Sequence, residues 1–245
     1  ADVESTGPNW HASRGYWRKQ LEQFFPDPTV ERAATVANIG VGAAVHSAEA
    51  QVGDFAELEA LGFSKSDVED VYPATTSQQG LLFHDAFERD QGIYVHQVRV
   101  RLRGDVQPSA MRAAWQMAVT RHDALRSVFV WTGSGGALAA VVANAQLPFF
   151  EHDGRGRGEH YDDWLEQWCA ADVAQGFDPR TAPLMRVHLV KRPDGAHDLI
   201  WTNHHAILDG WSAARLLAEV LEDHGHASRG RSLRTEPGPR FASYA

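Results

Sequence analysis

An α/β fold, a mixed β-sheet covered by helices, is what the sequence predicts, and three observations predict it. Gln97-Val98-Arg99-Val100-Arg101-Leu102-Arg103 alternates apolar and basic residues, the period of a half-buried strand with one wet face. Met111, Ala114, Trp115 and Ala118 recur at helical spacing, a stripe that faces a core. From Val71 onward the elements run strand, helix, strands, helix, strands, helix.

Taken in order, the first 65 residues differ from the rest. Asp2 to Pro8 is polar and irregular. Arg14 to Phe25 predicts a short amphipathic helix on Tyr16, Leu21 and Phe24, which Pro26-Asp27-Pro28 stops. Ala43 to Gly53 is rich in small residues, and Asp54 to Leu61 predicts another short helix. Residues 1–65 read as a linker or the remnant of an upstream domain, and residues 66–245 as one lobe. Pro108 opens the Met111 helix near its first turn. The helix runs into Arg121-His122-Asp123-Ala124-Leu125-Arg126, and Ser127 to Trp131 and Ala137 to Val142 form a hairpin about Gly133 to Gly136. Gly154 to Gly158 lacks the Lys-Ser/Thr ending of a phosphate loop and reads as solvated loop. Tyr161 to Ala174 is helical, Leu184 to Val190 a strand, and Pro193-Asp194-Gly195 a turn. Leu199 to Thr202 is a strand that delivers His204 and His205 at its end. A helix follows Asp209-Gly210, with Ala213, Leu216, Leu217, Val220 and Leu221 on one face.

Composition narrows the function. The 245 residues include 43% apolar and 22% charged side chains, ordinary for a soluble globular protein. A net charge of -9 argues against nucleic acid as a partner, since phosphate binding needs clustered Lys and Arg. No apolar run approaches the ~20 residues that cross a bilayer. The single cysteine, Cys169, excludes an internal disulfide framework and fits a reducing cytoplasm. Within a helix it reads as a buried structural thiol rather than a nucleophile.

The segment Trp201 to Trp211 carries the chemistry. Loops after strand ends present reactive side chains from a rigid frame. Adjacent strand residues point to opposite faces, so His204 and His205 cannot both aim at one cleft, and the pair is poorly suited to chelating one metal. A neutral imidazole is well placed to accept or relay a proton. Asp209 is the natural orienting group, for the loop or for the imidazole. A buried carboxylate there needs a cation, and Arg126 or Arg121 is the candidate. Gly210 permits close backbone approach to whatever fills the cleft. On the motif alone, two histidines near a turn are more often structural than functional.

A resemblance changes that balance. His204-His205-x-x-x-Asp209-Gly210 matches the signature of the condensation superfamily, which is similar in fold to chloramphenicol acetyltransferase. Three further segments agree in order and separation: Val71 to His84, Arg121-His122-x-x-Leu125-Arg126-Ser127-x-Phe129, and Phe177-Asp178 with Pro183-Leu184-Met185-Arg186. The likeness covers about residues 66 to 245 and resembles the N-terminal half of a nonribosomal peptide synthetase condensation domain.

The resemblance implies amide formation, in which an amine on an acceptor carrier attacks a thioester on a donor carrier. His205 would be the catalytic histidine, taking the amine proton or holding the amine by hydrogen bonding. His204 would point inward, Asp209 would pair with Arg126, Gly210 would line the tunnel, and Trp211 would pack beside it. No metal or bound cofactor is implied, because phosphopantetheine belongs to the carriers. Expected partners are donor and acceptor peptidyl carrier proteins, the domain's own C-terminal lobe, and adjacent adenylation or epimerization domains, in the cytoplasm. Gln79-Gly80-Leu81-Leu82-Phe83-His84 and Leu208-Asp209-Gly210-Trp211-Ser212 look like domains that accept a D-configured donor. Family members have two lobes, and the second is missing here, so this chain alone is expected to be inactive. Ser13 to Leu21 resembles a segment that these domains carry after the histidine motif. Other readings are an epimerization domain or another acyltransferase of the superfamily, and a non-catalytic condensation-like docking module.

Overall fold

The computed structural model describes residues 30–31, 54–87, 94–133 and 135–243. The helix expected over Arg14 to Phe25 lies outside them. The elements are β1 (Val30–Glu31), α1 (Asp54–Ala60), β2 (Val68–Pro73), α2 (Thr76–Phe87), β3 (Val95–Leu102) and α3 (Pro108–Arg121). There follow β4 (Ser127–Trp131), β5 (Ala137–Val142), β6 (Phe149–Asp153), α4 (Tyr161–Ala174), β7 (Met185–Lys191), β8 (His197–His204) and α5 (Gly210–Ala227).

Two sheets form rather than one. The larger has the order β1-β3-β8-β7-β6 and is antiparallel except for the parallel pair β6 and β7. The smaller, β2-β5-β4, is antiparallel throughout. Strand β8 is buried along its whole length, because both faces of the large sheet are covered. Leu199 and Trp201 join the core shared with α3 and α5, where the Trp115 ring lies 4.9 Å from that of Trp201. Ile200, one residue out of phase, joins Tyr161, Leu165 and Cys169 of α4 on the other face. Burial pushes the Cys169 thiol up to about 12, which keeps it protonated and unreactive.

The packed structure reaches upstream of residue 66. Leu58 of α1 is fully buried against Val128, Val130 and Ala140 of the small sheet. Arg155 to Gly158 is exposed, as a solvated loop would be, and Arg155–His160 forms 3-10 turns that break at Gly158 before α4. Gly154 sits where a Cβ would stand 2.4 Å from the Tyr161 ring, so the close approach of β6 and α4 requires glycine.

A buried polar cluster fastens α4 to the large sheet. Asp172, 1% exposed, accepts from Arg186 Nε at 2.6 Å, Thr202 Oγ1 at 2.5 Å and Gln97 Nε2 at 3.0 Å, with His188 Nε2 at 3.3 Å. Burial by itself raises this carboxyl. The bonds from His188, Arg186 and Thr202 more than offset that and hold it well below the usual carboxylate range.

Candidate functional site

The site forms where β8 runs out beside the start of β3. The His205 backbone N–H donates to the Tyr94 carbonyl at 2.8 Å, and Ile207 N–H then donates to the His204 carbonyl, closing a turn. The His204 side chain is 2% exposed. Its Nδ1 accepts from the Ala206 N–H at 3.1 Å, and its Nε2 lies 3.8 Å from Asp85 Oδ2. His205 is half-buried, and its Nδ1 is 2.7 Å from the Leu208 carbonyl oxygen. A carbonyl only accepts, so Nδ1 carries a proton, and the tautomer that this bond selects leaves Nε2 bare. One histidine of the pair thus braces the turn while the other presents a proton acceptor.

The remaining motif residues are placed as follows. Asp209 is exposed and is the N-cap of α5, where Oδ1 accepts from Ser212 N–H at 2.7 Å. That bond satisfies one of the orphan amides of the helix and contributes about 1 kcal/mol. Gly210 is the first helical residue, and Trp211 is 44% exposed.

The expected pairing of Asp209 with Arg126 or Arg121 is corrected. Arg126 extends to the small sheet, 3.0 Å from Glu69 Oε2 and 2.7 Å from the Val142 carbonyl. Arg121 binds Glu219 at 2.5 Å and the Glu236 carbonyl at 2.8 Å. An exposed capping carboxylate is satisfied by backbone amides and water and needs no cation. Neither arginine belongs to the immediate surroundings of His205. A cleft of about 730 Å³ lies beside the first turn of α5, lined by Asp123, Leu208, Asp209, Trp211, Arg215 and Phe241 among others. His205 is not part of its wall, so the cleft flanks the histidine rather than enclosing it.

Two residues that the sequence did not single out by themselves complete the site, one of them within the Val71 to His84 segment. Gln78 is 6% exposed and donates from Nε2 to the Ala206 carbonyl at 3.1 Å. Its other end is fixed by a reciprocal cap on α2: Thr75 N–H donates to Gln78 Oε1 at 3.0 Å, and Gln78 N–H donates to Thr75 Oγ1 at 3.2 Å. Ala206 is therefore held at both its N–H and its carbonyl, by His204 and by Gln78. The Thr75-x-x-Gln78 spacing of a capping box was the signal available in the sequence.

The second is His96 on β3, 8% exposed, whose ring lies over that of His205 with centroids 4.4 Å apart and planes at 32°. Burial first, and then the His205 and His204 rings, push the His96 imidazole down to about 4. Unfolding returns it to about 6.5, so below that pH the unfolded chain takes up a proton that the folded chain refuses. Stability contributed by neutral His96 is thus complete above pH ~6.5 and lost as pH falls toward ~4, by roughly 3 kcal/mol in all. Urea unfolding at intervals from pH 7.5 to 4.5 should show this decline, and His96→Phe should flatten it. His152, His197 and His224 are lowered too, chiefly by burial, and supply the slope that remains in the variant.

Comparison with known proteins places the chain in a family. The sequence model of the condensation domain family matches residues 68–245. The chain is similar to Bacitracin synthase 1 of Bacillus licheniformis, 32% identical over 192 residues that take in 77% of this chain and 4% of that protein. It is likewise similar to Bacitracin synthase 3 of the same organism, 30% identical over 180 residues, 74% of this chain and 3% of that protein. The chain therefore spans only a small part of the curated relatives it matches.

Among solved structures, the starter condensation domain of the rhizomide synthetase RzmA matches with a TM-score of 0.61 and 18% identity, over 67% of this chain and 40% of that one. The first condensation domain of the calcium-dependent antibiotic synthetase, in complex with a substrate analogue, matches with a TM-score of 0.61 and 18% identity, over 69% and 42%. These likenesses show a shared fold, the chloramphenicol acetyltransferase-like fold of condensation domains, with sheets flanked by helices. The chain belongs to the condensation domain family.

Proposed function

We propose that this chain carries the histidine half of an amide-forming site in nonribosomal peptide synthesis, with residues 66–245 as the N-terminal lobe. The observation that carries the reading is His205, whose Nδ1 is held by the Leu208 carbonyl so that Nε2 is free to meet an amine. The acceptor amine attacks the carbonyl carbon of the donor thioester. Nε2 receives or hydrogen-bonds the amine proton, the C–S bond breaks, and the thiol leaves on the phosphopantetheine arm of the donor carrier. Phosphopantetheine is here part of the substrate. The chain's span of about 40% of a solved condensation domain accords with a second lobe completing the tunnel. The partners are donor and acceptor carrier domains, with an adenylation domain in the same assembly line. The motif spelling favours a D-configured donor residue.

The test offers the complete two-lobed domain a donor carrier loaded with a D- or an L-residue and an acceptor carrier loaded with an amino acid, and reads the product by mass spectrometry. Amide should form only when both carriers are loaded, faster with the D donor, and not at all with this chain alone. Transfer to a free alcohol or thiol without an acceptor carrier, or inversion of the donor α-carbon without amide, would replace this reading by another acyltransferase or an epimerization domain.

A further inference from the structure

We propose that His96 is a positioning residue for His205: its imidazole lies against the His205 ring and holds it in the plane in which Nδ1 donates to the Leu208 carbonyl and Nε2 is presented bare. The proposal rests on the reading that His205 is the working residue, and it adds a residue that none of the four motifs contains.

The need for such a residue follows from how His205 is held. Its backbone N–H is fixed by the Tyr94 carbonyl, and the N–H and carbonyl of Ala206 after it are fixed by His204 and Gln78. Among the described residues the ring itself has one hydrogen bond, to Leu208 at 2.7 Å. One bond fixes one point of a planar ring and leaves rotation about it, and χ2 of an imidazole is a soft torsion. A flat neighbour at 4.4 Å removes that freedom.

His96 is well fixed for the purpose. It lies on β3 with Asn203 of β8 as its register partner, one pair in from the end of the strand. The charged or ionisable groups that act on its ring are His205 and His204. Asp85 lies beyond, near His204, and His84 stands with its ring 6.4 Å from that of Tyr94. No cation among the ion pairs of the described residues involves His96, and its own ring is neutral at pH 7, so the contact brings no charge against His205.

The experiment labels the histidines of the 245-residue chain with ¹⁵N and records long-range ¹H–¹⁵N spectra at pH 7.5, which separate protonated from bare ring nitrogens. His205→Gln identifies the His205 signals by their loss. In the wild type, His205 should show a protonated Nδ1 and a bare Nε2. In His96→Ala the two signals should converge as the ring samples both tautomers. His96→Phe, which restores a flat ring of similar breadth, should separate them again. If alanine prevents folding, His96→Val makes the same comparison with a residue that suits a strand.

Unchanged His205 signals in a folded His96→Ala or His96→Val chain overturn the proposal, as does a wild type without the Nδ1–H tautomer. The readout contains no turnover. A failure of the amide-forming reading therefore appears in the carrier assay, and a failure of this one appears in the spectra.

Discussion

Replacing His205 with alanine should lower carrier-dependent amide formation by the complete two-lobed domain about 10²- to 10⁴-fold, the range by which a positioned acid–base group accelerates proton transfer. The loss should fall on kcat, with the carriers' KM nearly unchanged, because Nε2 acts on the reacting amine and not on carrier docking. With Nδ1 committed to Leu208, only Nε2 is available. His205→Asn, whose amide accepts a hydrogen bond but cannot take a proton at neutral pH, then separates the two roles. Substantial activity in the asparagine variant indicates holding of the amine, whereas a loss equal to that of alanine indicates proton transfer. Equal turnover in wild type and His205→Ala would remove His205 from the mechanism. His204→Ala should act differently: it removes the acceptor for Ala206 N–H, so lower stability should accompany lower rate.

Removing Asp172 should be the most destabilising single change in the cluster beneath α4, at about 3–5 kcal/mol for Asp172→Ala. The reason is what remains. Arg186, 9% exposed, loses its carboxylate, and the buried donors of Thr202 and Gln97 lose their shared acceptor. In a chain of this length each kcal/mol moves Tm by about 2–4 °C, so a fall of roughly 6–20 °C is expected by calorimetry. The double change Asp172→Leu with Arg186→Met should cost much less than the sum of the single changes, because it leaves no unpaired charge. Strict additivity would mean that the two residues do not act as one unit. The cluster matters to the site through β8: Thr202 is in it, and His204 and His205 follow two and three residues later.

Much of the scaffold was legible in local patterns. The stripe of Met111, Ala114, Trp115 and Ala118 is buried on α3, and the hairpin of β4 and β5 turns where the glycines are. The strand before the histidine motif extends further than Leu199 to Thr202, over His197–His204, since strand pairing with β3 and β7 continues past the apolar run. The single sheet expected from the element order divides in two, because β2 pairs with β5 rather than with the strands around β8. Arg126 illustrates a different limit. It sits in one of the four family motifs, yet its partners are Glu69 and the Val142 carbonyl, which the small sheet brings to it.

By itself, the sequence determined what depends on neighbours along the chain: helical and strand periods, the turn at the hairpin, the helix opened at Asp209-Gly210, and a histidine pair at a strand end. Only the tertiary structure decided what depends on elements far apart. It lays His96 over His205, and it brings Gln78 to Ala206 across 128 positions of sequence. It gathers Gln97, Arg186 and Thr202 around the buried Asp172 carboxylate, and it leaves Asp209 to solvent and its helix. The physical reason is that a side chain's period is set by its own backbone, whereas its partner is set by strand register and layer packing, which no local pattern encodes.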